Sequence, residues 1–482
     1  MSLAALVARG LSLQLIARFV SLVLALVSIS VTVRYLGLAE YGVLTTVVVF
    51  SGLFDAFGDV GLSTVTVRRV TTGRGSLERL VGLNLGISIF YAIPLWLIAT
   101  ATGWSIYQGR PDVQLGIAIV SSGLIIKAIQ TCFNPVYEVV IKFGVLAFSD
   151  ISSRLLSVLL MLLAVQYDAG LVAFFGLQVL PFAVRLLIVI VVVHRRGHFR
   201  PVFARGEAAD LLREGFPLAL VNLVAILYFR VDGVLLSLLS DVTQVGAYGL
   251  AYRLVSNLGM LGAVFVNTVF PTMTRAFGEG KEVFTRRVRR YVEVMLLIAL
   301  PAAIFGPVMA DELIALVASE EAVGVASTVT QLLLMATAAS LLNVMLAQAL
   351  VAAHQQRFLL RVSIIALLVN VVINVALAPE LGAAGAGIAL LMSESLSLVL
   401  AFWRLRSVSG VLLPVGFVMR TLPSLVVTMM VWWPVRHLPV LIVLTILAMT
   451  YFLAVALMGP LRISELRVLI GHKAAPSSES EQ

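Results

Sequence analysis

Residues 170–200 have the sequence GLVAFFGLQVLPFAVRLLIVIVVVHRRGHFR, in which one long apolar run is followed by a cluster of cations. A helix crosses the apolar part of a bilayer with about 20 residues. Residues 170–193 are long enough and contain a single charge, Arg185. Lys and Arg accumulate in the cytoplasmic loops of membrane proteins. The stretch therefore predicts a membrane-spanning helix that ends in a cytoplasmic loop.

Runs of the same kind recur from one end of the chain to the other. Charge clusters and Pro or Gly residues divide the sequence into fourteen predicted spans. They lie at residues 11–33, 42–66, 80–103, 113–135, 144–165, 170–193, 215–238, 243–274, 291–308, 322–349, 359–378, 384–403, 413–433 and 439–459. The predicted fold class is an all-α polytopic membrane protein.

The distribution of Lys and Arg between the loops tests this count independently. Counted from the N-terminus, alternate connections hold 24 of the 34 cations, whereas the remaining loops hold Arg34, Arg110 and Arg436. One missing span would destroy this separation. Both termini are therefore predicted to be cytoplasmic, and the protein to lie in the cell (cytoplasmic or inner) membrane. No cleavable signal peptide is evident, because the first run is long, contains Arg18 and precedes thirteen more.

The composition excludes several classes of function. With 60% hydrophobic residues, 12% charged residues and a mean hydropathy of +1.05, the chain has more apolar surface than a soluble enzyme can bury. Cys132 is the single cysteine, and the five histidines lie in or beside polar connections, which argues against metal and His-dependent chemistry. No Gly-x-x-x-x-Gly-Lys-Ser/Thr motif is present for ATP hydrolysis. We predict no enzyme, cofactor or metal site. We attribute the net charge of +9 mostly to membrane orientation and in part to attraction to anionic membrane lipid, a predicted partner, and not to nucleic acid.

Two local patterns occur twice and indicate an internal duplication. Tyr41-Gly42-Val43-Leu44 is repeated as Tyr248-Gly249-Leu250, and Asp168-Ala169-Gly170 as Glu380-Leu381-Gly382, at offsets of 207 and 212 residues. Six helices separate the copies, so both halves enter the membrane in the same orientation. The predicted units are an N-terminal lobe at 1–200, a C-terminal lobe at 201–405, two further spans at 406–460, and a cytoplasmic tail at 461–482 with a disordered end.

Thirteen charged residues remain inside the predicted spans. Each costs about 2–3 kcal/mol at the centre of a bilayer unless it is paired or faces water. The cations are Arg18, Lys127, Arg154, Arg185, Arg230, Arg253 and Arg420, and the carboxylates are Asp55, Asp59, Asp150, Asp232, Glu293 and Glu394. Five of them lie near the predicted cytoplasmic ends, where a position at the membrane interface is as good an interpretation as a cavity. These five are Arg18, Arg154, Arg420, Asp150 and Glu293.

Two interpretations of the deep charges stay open. Each is half of a buried ion pair that holds helices together, or the cations line a chamber for an anionic substrate while carboxylates bind a coupling proton or metal cation. Arg230 and Asp232 are two residues apart and point to different faces of one helix, so they do not simply neutralise each other. The carboxylates that we consider for ion coupling are Asp59, Asp232 and Glu394.

Four stretches occur in an order and at positions that are typical of one family. They are RYLG at 34–37 with EYG at 40–42 and FDAFGDVGL at 54–62; Arg230-Val231-Asp232 with VGAYGLAYRL at 245–254; residues 267–271; and 370–374 with Pro379, Gly382, Gly385-Ala386 and Ser393-Glu394. Together they resemble the Wzx-type oligosaccharide flippases, or polysaccharide transporters, of the multidrug/oligosaccharidyl-lipid/polysaccharide (MOP) exporter superfamily. The resemblance spans residues 10 to about 405. Asp55 departs from the family pattern, in which an apolar residue is commoner.

The resemblance implies two six-helix lobes that form a V around a central cavity, with two added helices. It also implies that a polyprenyl-diphosphate-linked oligosaccharide moves to the outer leaflet by alternating access, with H⁺ or Na⁺ as a coupling ion and polysaccharide polymerases as partners. Mid-membrane cations can replace the water around a diphosphate. The substrate-binding candidates are Arg18, Lys127, Arg230 and Arg253. Arg253 and Lys127 lie at similar depths in different lobes, so we expect both to reach one diphosphate.

Two other functions are weighed against this one. A MATE-like drug or cation antiporter would need a net acidic cavity, whereas cations outnumber carboxylates in the predicted spans. A membrane glycan polymerase or ligase would need a large outer loop, and no predicted outer loop exceeds about a dozen residues.

Overall fold

The computed structural model describes residues 3–140, 143–194, 199–412 and 414–458. Within these ranges the side chains of residues 3–19, 56, 138, 140, 143–144, 146–147, 194, 221, 225 and 260–261 are left out. Every regular element in these ranges is a helix. The elements are α1 Leu3–Leu53, the 3-10 helix Phe54–Phe57, α2 Leu62–Thr71, α3 Leu77–Ile106, α4 Pro111–Ser121, α5 Gly123–Thr131, α6 Asn134–Val140, α7 Phe143–Gln166, α8 Leu171–His194, α9 Arg205–Leu239, α10 Val242–Glu279, α11 Lys281–Val308, α12 Ala310–Val317, α13 Glu320–Ala352, α14 Gln356–Leu381, α15 Ala383–Ser409, α16 Val415–Val435 and α17 Val440–Met458. The predicted tail, 461–482, lies outside the described residues.

Most of these helices are membrane spans by length and composition. Twelve helices in the described ranges are long and apolar enough to cross a membrane, with α4 to α6 counted as one. The bent helix α9 is a thirteenth, and its direction changes by 43° between Val224 and Ile226. The predicted all-α polytopic fold is confirmed. The orientation of the termini and the lobe boundaries stay predictions.

Helix α1 changes its direction at Gly37. Gly37 has φ 71° and ψ 172°, which lie outside the helical region and suit a residue without a side chain. Before Gly37, α1 runs in the same direction as α7, because Ser21 contacts Asp150 at one end and Thr32 contacts Met161 further along. After Gly37, the direction is the opposite one.

The reversal follows from the order of contacts along the neighbouring helices. Helix α8 is antiparallel to α7, α4 runs with α8, and residues 38–53 of α1 run with α4. For α7 against α8, Asp150 lies by Arg185 while Tyr167 and Ala173 line one groove at the other end. The contacts that show the other directions are Gly116–Phe175 and Gly123–Phe182 for α4 and the start of α5 against α8, and Val47–Gly116 and Ser51–Ser121 for α1 against α4. Helix α1, whose residues 20–53 count as one span by length and composition, therefore runs in opposite directions before and after Gly37.

The second predicted span, 42–66, is not one continuous helix. Helix α1 ends at Leu53, a 3-10 turn follows, and α2 begins only at Leu62. Gly61 ends the break in the left-handed conformation, at φ 73°. A side chain at Gly61 would lie 2.6 Å from the carbonyl oxygen of Gly215, so the break brings this backbone directly against α9.

Near Gly37, the first and second halves of the molecule meet along α1 and α10. A methyl group added to Gly42 would overlap the carbonyl oxygen of Val242, and one added to Gly246 would overlap that of Leu38. Helices approach this closely only where small residues leave room. The halves are in direct backbone contact at this end.

The far end of the same interface is held by ion pairs that are exposed or only partly buried. Arg68 and Arg69 on α2 each lie 2.6 Å from Glu214 on α9, and Arg79 on α3 pairs with Glu207. The first part of α9 is thus in contact with helices of the N-terminal half, and the predicted C-terminal lobe at 201–405 stays a prediction.

Candidate functional site: a cationic cavity and a buried carboxylate network

A cavity of about 290 Å³ lies where α1, α7, α8 and α10 come together. Its polar lining consists of Ser28, Arg154, Ser157, Gln178, Arg253, Ser256 and Asn257. Two of these side chains are guanidinium groups, and the described lining contains no carboxylate. Arg253 lies eleven residues into α10, which places it about 16 Å from the start of that helix and near the middle of a bilayer. The cavity is therefore a positively charged site at mid-membrane depth.

Arg253 is the predicted substrate residue that lines this cavity. It is half-buried, and its guanidinium carbon lies 5.8 Å from the ring centroid of Tyr41 on α1. The ring face is electronegative and orients the cation without neutralising it. Asn257 donates a hydrogen bond of 2.9 Å to the carbonyl oxygen of Arg253. Among the described carboxylates none forms an ion pair with Arg253, so its charge is available to a ligand.

Arg154 is the second cation of the cavity, and Asp150 orients it. The Arg154 Nε donates to Asp150 at 3.2 Å, and Arg185 lies 3.7 Å from the other carboxylate oxygen. Ser21 also donates to Asp150, at 3.2 Å. The single negative charge of Asp150 is thus shared by the guanidinium groups of Arg154 and Arg185, and one positive charge is left over. The Nε of Arg185 is buried without a hydrogen-bond partner among the described residues.

Arg154 was not predicted to bind substrate, because it lies within a few turns of a predicted cytoplasmic end. A signal was present nonetheless. Asp150, Arg154 and Ser157 recur at helical spacing on one face of α7, and Ser153 adjoins them. A polar face on a membrane helix points to protein or water and not to lipid.

Lys127 lies away from the cavity. Its Nζ is 2.9 Å from Asp55 and 5.7 Å from the ring centroid of Phe182, and it is not among the cavity-lining residues. The side chains of Lys127 and Asp55 are 30% and 25% exposed, so the pair is only partly shielded. The expected approach of Lys127 and Arg253 to a common ligand is therefore not seen, and a substrate contact by Lys127 stays a prediction.

A further substrate candidate, Arg230, also lies outside the cavity lining. Arg230 is half-buried on α9 and lies against Gly52 of α1, where an added methyl group would come 2.9 Å from the guanidinium carbon. No described carboxylate forms an ion pair with it. Arg18 belongs to α1, but its side chain lies outside the described residues.

Asp232 lies in a buried polar network in the second half of the molecule. Its side chain is 1% exposed and accepts hydrogen bonds from Tyr248 at 3.1 Å and from Asn374 at 3.0 Å. The side-chain nitrogen of Asn374 also donates to Asn370, at 3.1 Å. The Oδ1 of Asn374 is buried and accepts no hydrogen bond from the described residues. The carboxylate therefore has neutral partners and an unsatisfied oxygen beside it.

Glu394 continues this network on α15. It is 4% exposed and accepts hydrogen bonds from Asn343 at 2.6 Å and from Tyr228 at 3.0 Å. Its neighbour Ser393 accepts from Asn370 at 3.4 Å, which connects Glu394 to the Asp232 group. Among the described residues neither carboxylate forms an ion pair. A charge buried without a counterion is costly, so a proton or a bound cation would stabilise both groups.

Asp59, the third coupling candidate, has a different environment. It is half-buried in the break before α2 and accepts a hydrogen bond of 3.0 Å from the backbone N–H of Ser63. This contact satisfies a free donor at the start of α2, as capping residues do. A structural role accounts for this contact, and the coupling role stays a prediction.

Solved structures of membrane transporters share the fold that holds this cavity and this acidic network. The lipid II flippase MurJ, in an inward closed conformation, has the same fold with a TM-score of 0.75 and 12% identity, over 95% of this chain and 99% of that one. A multidrug resistance MATE family transporter of the MOP superfamily, in an inward-facing conformation, matches with a TM-score of 0.57 and 16% identity, over 81% of this chain and 96% of that one.

The family is given by the sequence comparison. Residues 31–327 match the profile of the family described as "Polysaccharide biosynthesis protein", and the chain belongs to this family. A protein named "Probable flippase AglR", from Haloferax volcanii, is 28% identical over 197 residues. That match covers 40% of this chain and 41% of the relative, so the chain aligns with about two fifths of the relative's length.

Proposed function

We propose that this protein is a flippase that moves a polyprenyl-diphosphate-linked oligosaccharide across the cytoplasmic membrane by alternating access. The observation that carries the proposal is the mid-membrane cavity in which Arg253 and Arg154 face the same space without a compensating carboxylate in its lining. Family membership and the similarity to a "Probable flippase" support the same function.

The chemistry of the cavity suits a diphosphate. Its oxygens lose their water on entering the membrane, and planar guanidinium groups can replace that water with paired hydrogen bonds. Ser28, Gln178 and Asn257 add neutral donors that suit sugar hydroxyls or phosphate oxygens. Transport of this kind requires binding and release alone, so the protein acts as a transporter and not as an enzyme. The released lipid-linked saccharide would be a substrate for polysaccharide polymerases, which we propose as partners.

The buried carboxylates supply a site for a coupling ion. A proton on Asp232 or Glu394 would remove the unpaired charge. Na⁺ between Asp232 and the free Oδ1 of Asn374 would do the same with carboxylate and amide oxygens, which are hard ligands suited to hard cations. We therefore propose that a H⁺ or Na⁺ gradient drives transport through this network.

Reconstitution of the full chain in liposomes tests the function. Lipid-linked saccharide is placed in both leaflets, and the fraction that a membrane-impermeant glycosidase can cleave is followed with time. Wild-type protein should raise the cleaved fraction from about half to nearly all, and Arg253→Ala should not. A wild-type protein that leaves the fraction at one half, but extrudes cationic dyes from the same liposomes, would contradict the proposal and favour a drug or cation antiporter.

A further inference from the structure

A second cavity, of about 370 Å³, lies between α7 and α8 near the turn at 167–170. The lining residues that matter here are Leu160, Leu163, Tyr167, Ala173, Gly176 and Leu177. The described lining contains no charged side chain. Since α7 and α8 are both membrane spans, this groove faces a hydrocarbon environment.

The groove stays open because one position has no side chain. A methyl group added to Gly176 would meet no atom within 4 Å. Tyr167 is 80% exposed and Leu163 is 46% exposed, so their side chains form an accessible wall. An exposed apolar groove of this kind accepts an apolar chain without the loss of any internal contact.

The groove is separated from the cationic cavity by a single residue. Leu177 lines both spaces, and the next residue, Gln178, lines the cationic cavity. A ligand that fits both must have an anionic group directly attached to an apolar chain. A lipid diphosphate has this construction.

The apolar chain could belong to an ordinary membrane phospholipid or to the lipid-linked substrate, and the depth of the cationic cavity favours the substrate. The headgroup of an ordinary phospholipid stays at the membrane surface, whereas Arg253 lies about 16 Å along a spanning helix. Only a lipid whose headgroup is carried into the protein places the first carbons of its tail beside Leu177.

We propose that the α7–α8 groove holds the isoprenoid tail of the lipid-linked substrate while the diphosphate lies in the cationic cavity, with Leu177 at the junction. This inference rests on the proposed function and adds to it a binding site for the tail. The tail lies against the surface of the first half of the molecule, and the headgroup lies between the halves.

The test fills the groove and varies the length of the tail. Gly176→Leu occupies the open space, and leucine is favoured over glycine in a helix, so the fold should be kept. Gly324→Leu is the matched control, because Gly324 is an exposed helical glycine on α13 that also has no neighbour within 4 Å. Binding to the purified full chain is measured with a full-length polyprenyl-diphosphate saccharide and with an analogue whose tail has one isoprene unit.

Gly176→Leu should weaken binding of the full-length lipid by about tenfold and change binding of the short analogue by less than about twofold. Gly324→Leu should change neither. Unchanged affinity for the full-length lipid, or an equal loss for both ligands, would overturn the proposal. A photoreactive residue placed at Ala173 gives a further test. The proposal would also be overturned if this residue crosslinks to bulk phospholipid and added substrate does not reduce that crosslinking.

The failure of the proposed function gives a different pattern. Wild-type protein would then bind neither diphosphate, or Arg253→Ala would leave both affinities unchanged. If instead the short analogue binds and depends on Arg253, the function stands, and the result for Gly176→Leu alone decides the location of the tail.

Discussion

Arg253 in the cationic cavity and the two carboxylates of the network have no ion-pair partner among the described residues, but their surroundings differ. The cavity lies at the junction of the two halves, and Arg253 is only half-buried there. Asp232 and Glu394 lie inside the second half, at 1% and 4% exposure. A large anion can therefore enter the cavity when the halves separate, whereas the carboxylates can exchange only something as small as a proton or a metal ion. The two sites are suited to different ligands by access as well as by sign.

One helix connects the two sites. Tyr248 on α10 donates to Asp232, and its ring stacks on Tyr252 with centroids 6.0 Å apart. Arg253 follows Tyr252 directly in sequence. A change in the charge of Asp232 can thus reach the cavity through less than two turns of α10, which is a physical path for coupling.

The largest expected effect is on the cationic side of this comparison. Arg253→Ala should lower affinity for the lipid-linked substrate by about ten- to a hundredfold, because a hydrogen bond to a charged group contributes about 1.5–3 kcal/mol. Arg253→Lys should restore only part of the affinity, since an ammonium cannot make the paired contacts of a guanidinium. Binding to the purified protein measures both.

Arg420→Ala, at an exposed position on α16, is the control for this experiment. If Arg253→Ala transports at the normal rate, Arg253 does not bind the substrate as proposed. Disappearance of the variant protein from the membrane would assign Arg253 a structural role.

The next effect concerns the acidic side. Asp232→Asn should reduce the gradient-driven rate by about tenfold or more while leaving substrate affinity within about twofold, because Asn cannot take up a proton or balance a cation. Transport into liposomes with and without an imposed gradient measures this difference. Asp241→Asn is the control, since Asp241 caps α10 outside the network. A parallel loss of substrate affinity and of folded protein would place Asp232 among the structural groups.

A smaller effect is expected at the pair of Asp55 and Lys127, which belongs to neither site. Asp55→Leu leaves an unpaired ammonium and should lower the free energy of unfolding by about 1–2 kcal/mol, less than for a fully buried pair. Asp55→Leu with Lys127→Met should recover most of that loss. Thermal unfolding in detergent measures both variants. If the double variant is stable but no longer binds substrate, Lys127 contacts the ligand after all.

The smallest effect is expected for the exposed ion pairs. Glu214→Gln should change the free energy of unfolding by less than about 1 kcal/mol, because water and salt screen pairs of this kind. The same unfolding measurement, repeated in high salt, checks it. The expectation is wrong if Glu214→Gln lowers the free energy of unfolding by more than this and high salt lowers that of the wild type by a similar amount. The charge at this end of α9 would then contribute to stability as much as the buried groups do.

The helical architecture could be predicted from the sequence because it depends on the length of apolar runs. Fourteen spans were predicted from that length and from the distribution of cations, and twelve to thirteen helices in the described ranges meet the length and composition of a span. The break in the second span was missed, although Gly58 and Gly61 in FDAFGDVGL give a signal for it. Hydropathy does not register such a break, because apolar residues surround it.

The partners of the deep charges could not be predicted in the same way. Lys127 and Asp55 are 72 residues apart, and Asp232 and Asn374 are 142 apart. Which of them meet depends on how each helix is rotated about its axis, and a helix that is apolar on all sides gives little information on its rotation. The sequence did predict that Arg230 and Asp232 face different ways, since a spacing of two places them on different sides of one helix.

The backbone contact of α1 with α10 at Gly42 and Gly246 has a mechanical consequence. Where two helices touch through their backbones they can turn but hardly separate, so this point can serve as the pivot of a rocking motion. Over the roughly 30 Å of a bilayer, a rotation of about 15° around one end displaces the other end by about 8 Å. At that other end Gly61 and Gly215 also bring two backbones together, and Glu207 and Glu214 pair with α3 and α2, so the first part of α9 would move with the first half. A bulkier residue at Gly246 would shift the pivot and change how far the opposite side can open.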